Sequence, residues 1–281
     1  MQNPRAAPNG ADTRGNQYRH DTRPATNVNQ VIFLPGEPLA LERLLSQPRL
    51  DRYKIFATGN TREGRLHAYR WNAEISASLQ IDVGILEVAV RNAMNQELAK
   101  LFGRKHWYLA ADHVSYIPEL DDRAVGSLRM AKRWLGNTDE LYEWSAGKVI
   151  AELTFAFWVG LLDKGGPRKG GVRADYRTTI WLPPGGQLTG VRHAFKHLPQ
   201  PSRRKLHGKL AILVELRNRI AHYEPIFDGI RVPGTTRTTP TIPLTDVYNT
   251  LLEVAGYISP DLLFWIRSTS QTPQLLERRP T

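Results

Sequence analysis

Cysteine is absent from all 281 residues, which excludes structural disulfides, thiolate-bound zinc, iron–sulfur clusters and a cysteine nucleophile. A reducing compartment fits that absence, so a cytoplasmic location is expected. Long hydrophobic runs are missing as well. The longest, Val149 to Leu162, carries Glu152 and stops short of the ~20 apolar residues that a membrane span requires. It reads as a buried core helix, and no membrane partner is expected. The opening residues, MQNPRAAPNGADTRGNQYRH, contain no apolar stretch and predict no secretory signal. Period-2 alternation over a strand length is scarce too, which predicts a mainly α fold.

What is present suffices for a core. Hydrophobic residues at 41% against 23% charged describe an ordinary globular chain of one large or two medium domains. Residues 1–35, polar and rich in Pro, Gly and Asn, predict a flexible N-terminal arm; residues 36–270 read as a single helical domain and 271–281 as a flexible tail. Pro38 to Gly59 predicts two short helices broken at Pro48. Arg65 to Phe102, the longest helical tract, predicts two helices with a kink between Gln80 and Gly84, ended by Gly103. In its second half one stripe runs through Ile81, Ile85 and Val88 and its neighbour through Leu86, Val90 and Met94, and both read as core-facing. Further helices are expected over about Glu119 to Leu135, from an N-cap at Ser202 to about Tyr223, and as a pair over Leu244 to Ser268 broken near Pro260.

Basic residues exceed acidic ones by eleven, 38 against 27, and the excess is localised. Between Lys164 and Lys209 eleven basic residues stand against Asp175 alone, so this stretch carries nearly all of the net charge. A sign-segregated surface favours polyanions, because neutralised phosphates release condensed counterions; a solvated basic face is the plainer alternative.

The helix before Pro225 reads KLAILVELRNRIAHYEPIF. Leu206, Leu210, Leu213, Arg217 and Ile220 form one stripe, so Arg217 projects from a face otherwise buried, while Asn218 and His222 lie four apart on a common face. An arginine can stabilise charge on a phosphorane, a histidine can move a proton near neutral pH, and an amide can orient either partner. Arg-x4-His decides nothing alone, because Arg62/His67 and Arg192/His197 repeat the spacing. Only Arg217/His222 adds an adjacent Asn, an apolar helix before it and Tyr-Glu-Pro after it. The alternative is an interior Arg and His satisfied by carboxylates such as Glu215 or Glu224.

The string LRNRIAHYEPI resembles the Arg-Asn-x-x-x-His signature of HEPN-domain ribonucleases, in particular the Abi-like (abortive-infection) proteins of bacteria. Other strings match that family in order: YRWNAEISASLQIDVGILEVAVRNAMNQEL, ELTFAFWVGLL, and TTIWLPP followed by VRHAFKHLP. The resemblance covers roughly Leu39 to Phe227. Where the family often has a second histidine after the first, this chain has Tyr223. The resemblance implies a HEPN-like helical bundle and a metal-independent endoribonuclease without a cofactor, cutting RNA through the substrate's own 2′-hydroxyl where two motif helices meet. By position His222 is then the acid/base, Arg217 the phosphate and transition-state partner, and Asn218 the orienting amide. The RNA-binding candidates are Arg203, Arg204, Lys205, Lys209, Arg192, Lys196, Arg91 and Asn92. A phage-defence or toxin-like role, a homodimer, and neutralisation by an antitoxin protein or a structured RNA are the expected partners and setting; the alternative is a non-catalytic RNA-binding or sequestering protein on the same scaffold.

A second Arg-Asn pair, Arg91 and Asn92, follows another apolar helix, with Gln96 where the first copy has His222. It reads either as a degenerate repeat or, more plainly, as a Glu87–Arg91 ion pair at i,i+4. Glutamine does not titrate, so a second histidine would have to come from a second chain. His193 and His197 have helical metal-ligand spacing but no acid nearby, Gly165 to Gly171 fails the phosphate-loop pattern at Gly171, Asp121 and Asp122 read as a solvated helix face, and the tryptophans read as core.

Overall fold

In a computed structural model the fold is organised by one helix whose ends are both written in the sequence. The residues described are 36–54, 60–136, 145–184, 189–200, 202–236 and 239–280. The N-terminal arm, Ile55, Phe56 and Trp144 lie outside them. Helix α1 (Glu37–Leu45) and helix α2 (Gln47–Asp51) meet at Ser46, with Pro48 inside the first turn of the second, where a missing N–H costs nothing. Helix α3 (Arg62–Leu101) starts at Thr61, whose Oγ1 accepts from Gly64 N at 3.0 Å. It ends in a Schellman turn, with Gly103 N bonded to Lys100 O and Arg104 N to Ala99 O, and Gly103 at φ +66° in the left-handed conformation that turn requires.

Forty uninterrupted residues make α3 about 60 Å long, and the expected kink between Gln80 and Gly84 is absent. Ile75, Leu79, Val83, Leu86, Val90 and Met94, all fully buried, run down one side as the spine of the core. The neighbouring stripe read as core is so only in part: Ile85 packs against the core, whereas Ile81 is 65% exposed and Val88 44%.

Helix α4 (Asp122–Trp134) follows. The apolar run Val149 to Leu162 is two short helices rather than one, α5 (Ala146–Glu152) and α6 (Phe155–Gly160), since Thr154 turns its hydroxyl onto Phe157 N and starts a new helix. A π-helical turn (Arg177–Trp181) and a 3₁₀ turn (Val191–Ala194) lead to helix α7 (Arg203–Ala221), then α8 (Leu244–Ile258), α9 (Pro260–Thr269) and α10 (Thr272–Glu277). The described residues belong to one compact unit spanning 34–281, mainly helical and with no sheet among them.

The C-terminal segment read as a flexible tail is α10, docked on α3. Thr272 is fully buried, and Trp71 Nε1 donates to Leu275 O at 2.8 Å. Four tryptophans (Trp71, Trp107, Trp158, Trp181) lie in the core as expected, whereas Trp134 and Trp265 are exposed.

Candidate functional site

Helix α7 carries the motif, and its far end is shaped by backbone hydrogen bonds. Ser202 Oγ accepts from Lys205 N at the start, and Leu206, Leu210, Leu213 and Leu216 bury one face. At the other end His222 is the C-cap residue. Tyr223 N bonds Ile220 O at 3.0 Å and Glu224 N bonds Arg219 O at 2.8 Å, a second Schellman turn. Here the left-handed position, φ +54°, is held by Tyr223 instead of glycine, at a cost of ~1–2 kcal/mol. Arg219 clamps the turn by donating to the carbonyls of Pro225 and Gly229, and it pairs with Glu224 at 3.4 Å. Arg49 of α2 donates to Tyr223 O at 3.2 Å.

Helix α7 runs against α3 in the opposite sense: Arg217 faces Glu87, while Ile226, beyond the helix end, gives its N–H to Asn72 Oδ1 at 2.8 Å. Arg217 Nε lies 3.9 Å from Glu87 Oε2, too far for a hydrogen bond, and has no hydrogen-bond partner among the described residues. Arg91, one turn further along α3 from Glu87, likewise has a buried Nε without a hydrogen-bond partner among the described residues. The expected Glu87–Arg91 pair is therefore replaced by an interhelical approach of Glu87 to Arg217. Neither Glu215 nor Glu224 satisfies Arg217, since Glu224 belongs to Arg219.

The three motif residues do not converge within one chain. Five residues at about 100° each place His222 roughly 140° around the helix from Arg217. Arg217 turns inward to α3, whereas Asn218 and His222 are exposed on the next face. Beside Arg217 the two helices and the end of α2 enclose a cavity of about 370 Å³, which Asn218 and His222 do not line. Its α3 wall is a stripe of Tyr69, Asn72, Ser76 and Gln80; α7 adds Arg217, and the turn after it adds Tyr223.

The basic candidates sit elsewhere. Arg204 and Lys205 are exposed on the first turn of α7, thirteen residues and about 20 Å from Arg217 along the helix. Arg203 donates to Leu162 O and Lys209 pairs with Glu253, so both have structural partners. Lys196 and Asn92 are exposed, and Arg192 is half-buried in the 3₁₀ turn. The charge-rich stretch is thus not the wall of the Arg217 cavity. Of the two other Arg-x4-His pairs, Arg62 is bound to Glu42, and His197 is exposed with its N–H on Tyr257 O at 3.0 Å.

Gly165 and Gly166 are there for close packing: a Cβ on the first would fall 2.3 Å from Ala174 O, and on the second 2.7 Å from Asp121 Oδ2. Asp121, expected on a solvated face, is instead the buried N-cap of α4, accepting from Ala124 N at 2.9 Å and from Arg123. Among the described residues no group of three or more His, Cys, Asp or Glu side chains could hold a metal ion, and no helix is long and apolar enough to cross a membrane.

Motif reading alone missed Tyr69, Asn72, Ser76 and Gln80. The signal was available as a polar stripe at i, i+3, i+7 and i+11 within YRWNAEISASLQ, on a helix otherwise apolar on its inner side. Comparison of the chain with protein-family models, with curated proteins and with solved structures finds no match, so the resemblance to Abi-like HEPN ribonucleases rests on the chain's own strings, LRNRIAHYEPI foremost.

Proposed function

We propose that this chain is a metal-independent endoribonuclease of the HEPN type, acting as a homodimer in a phage-defence or toxin-like role. The observation that carries the reading is Arg217: a guanidinium set in an otherwise apolar helix face, with its Nε buried and unbonded beside a cavity. Such a donor set suits a phosphate, which takes two parallel N–H bonds from arginine. Asn218 and His222 stand exposed on the adjoining face, where an RNA backbone or a second chain reaches them. His222 acts as the acid/base on the 2′-hydroxyl or the leaving oxygen, and Asn218 orients it. A two-fold dimer that brings two α7 ends together supplies the second imidazole that Gln96 cannot. Control by an antitoxin protein or a structured RNA would be laid over this activity.

The second reading, a non-catalytic RNA-binding or sequestering protein, is favoured by one observation, the divergence of Arg217 and His222 around α7 within a single chain. Purified protein incubated with total RNA in EDTA separates the two. The first reading expects fragments ending in 2′,3′-cyclic phosphate and a dimer by light scattering; intact RNA bound without cleavage supports the second.

A further inference from the structure

The cavity beside Arg217 has features that the motif does not account for. At about 370 Å³ it falls within the range of small-molecule sites, ~300–1,000 Å³, and like them it is walled by apolar and aromatic side chains with few polar groups. Tyr53 forms a fixed part of the wall: it is 1% exposed, with its ring centroid 5.4 Å from Tyr69 and 4.9 Å from Phe227. Burial pushes its phenol up to about 12, so it remains a neutral donor near pH 7. Asn72 has committed Oδ1 to Ile226 N, which leaves its amide NH₂ as the group it can offer a ligand.

Tyr223 is the unexpected member. It is 80% exposed, its ring makes no aromatic contact among the described residues, and its backbone holds a left-handed conformation that glycine adopts freely. A large aromatic kept in a strained position at a cavity mouth contributes little to the core. Strain of this kind clusters at ligand sites, where the side chain it presents is used.

We infer that this cavity is a nucleotide subsite, with a phosphate on the Arg217 guanidinium and a nucleobase against the Tyr69 and Tyr223 rings. The chemistry is that of single-stranded nucleic-acid sites, where a cation holds the backbone and aromatic faces stack the base. Glu87 approaches the guanidinium from the α3 side at 3.9 Å without bonding it. This assignment rests on the reading of Arg217 as the phosphate-binding group, and it makes the substrate single-stranded at the nucleotide that enters.

The test uses the full chain and needs no cleavage: titration calorimetry with uridine 3′-phosphate, uridine and inorganic phosphate. Saturable binding of the nucleotide, at least ~10-fold tighter than either part, is expected because base and phosphate are held at once. Tyr223→Gly should weaken the nucleotide by at least ~5-fold without lowering the melting temperature, whereas Tyr223→Phe should retain it. Arg217→Gln should bring nucleotide and nucleoside to similar affinity. Phosphate binding as well as the nucleotide, or an unchanged affinity in Tyr223→Gly, overturns the subsite. RNA cleavage without nucleotide binding also overturns it and leaves the ribonuclease reading standing; nucleotide binding without cleavage overturns the ribonuclease reading and leaves the subsite.

Discussion

Two carboxylates five residues apart on α3 are partnered in opposite ways. Asp82 is 2% exposed, and its Oδ2 accepts from Ser270 Oγ at 2.6 Å and Thr272 Oγ1 at 2.9 Å, while the Thr272 hydroxyl also meets Ser78 Oγ at 2.8 Å. All three hydroxyls there have partners, and the result is a joint that fastens the start of α10 to the middle of α3. Glu87 instead approaches Arg217 at 3.9 Å, and the buried Nε atoms of Arg217 and Arg91 have no hydrogen bond among the described residues. An orphaned buried donor costs ~1–3 kcal/mol, a cost that a water, an ion or a ligand relieves by completing it. The contrast separates a finished structural contact from an unfinished one. It says where on α3 to look for stability and where for binding.

The largest effect that tests this division is on activity. His222→Ala is expected to lower RNA cleavage by ~10²- to 10⁴-fold, the range of general acid–base catalysis, with an unchanged melting temperature because His222 is exposed at a helix end. Cleavage assays beside thermal melts check both halves. A variant that loses folding along with activity would put His222 in the structural class.

Next in size comes stability. Asp82→Ala strands two buried hydroxyls and should cost ~1–3 kcal/mol in chemical denaturation, while Glu87→Ala should stay within ~0.5 kcal/mol, since its partner is distant and part-exposed. A large loss from Glu87→Ala would show that the Arg217 contact holds the helices together, and the contrast would fail.

Helix ends are legible in the sequence because the chemistry that makes them is local. Ser202, Gly103, Pro225 and Pro260 all stand where a cap or a stop belongs, and Thr154 is the exception, a cap hidden inside an apolar run. What the sequence conceals are partners far along the chain. Gln80 to Gly84 read as a kink in α3, and nothing local shows that Asp82 is satisfied by hydroxyls some 190 residues away. Ile81 and Val88 read as buried because periodicity reports an apolar face without saying whether anything covers it. The same limit applies to the site. Arg217 stands out on its stripe, but the wall opposite it, from Tyr69 to Gln80, is visible only once α3 and α7 are laid side by side.

The two Schellman turns offer a subtler comparison, because one geometry is filled by Gly103 and the other by Tyr223. Nothing lies within 4 Å of a Cβ added to Gly103, so Gly103→Ala isolates the backbone penalty and should cost ~1–2 kcal/mol. Tyr223→Gly should gain up to ~1 kcal/mol, reduced by the extra chain entropy of glycine. Denaturant midpoints at constant slope measure both. A loss in Tyr223→Gly would mean that the tyrosine ring packs instead of standing ready.

The smallest effect is a pH slope at the finished joint. Burial pushes the Asp82 carboxyl above its ordinary range, and the Ser270 and Thr272 hydroxyls pull it back only in part. Below the unfolded value, near ~4, aspartate is protonated in both states and the perturbation is silent. Between the unfolded and the raised folded value the native state binds more protons than the unfolded chain, so stability falls as pH rises through that window and stays lower above it. Asp82→Asn keeps a carbonyl oxygen for both hydroxyls and has nothing to titrate. Denaturation from pH 3 to pH 7 should therefore lose this component in the variant, whose stability relative to wild type rises across the window. If the difference between the two proteins is flat with pH, Asp82 is ionised in the native state as readily as in the unfolded chain, and its two hydroxyl partners offset the whole cost of burial.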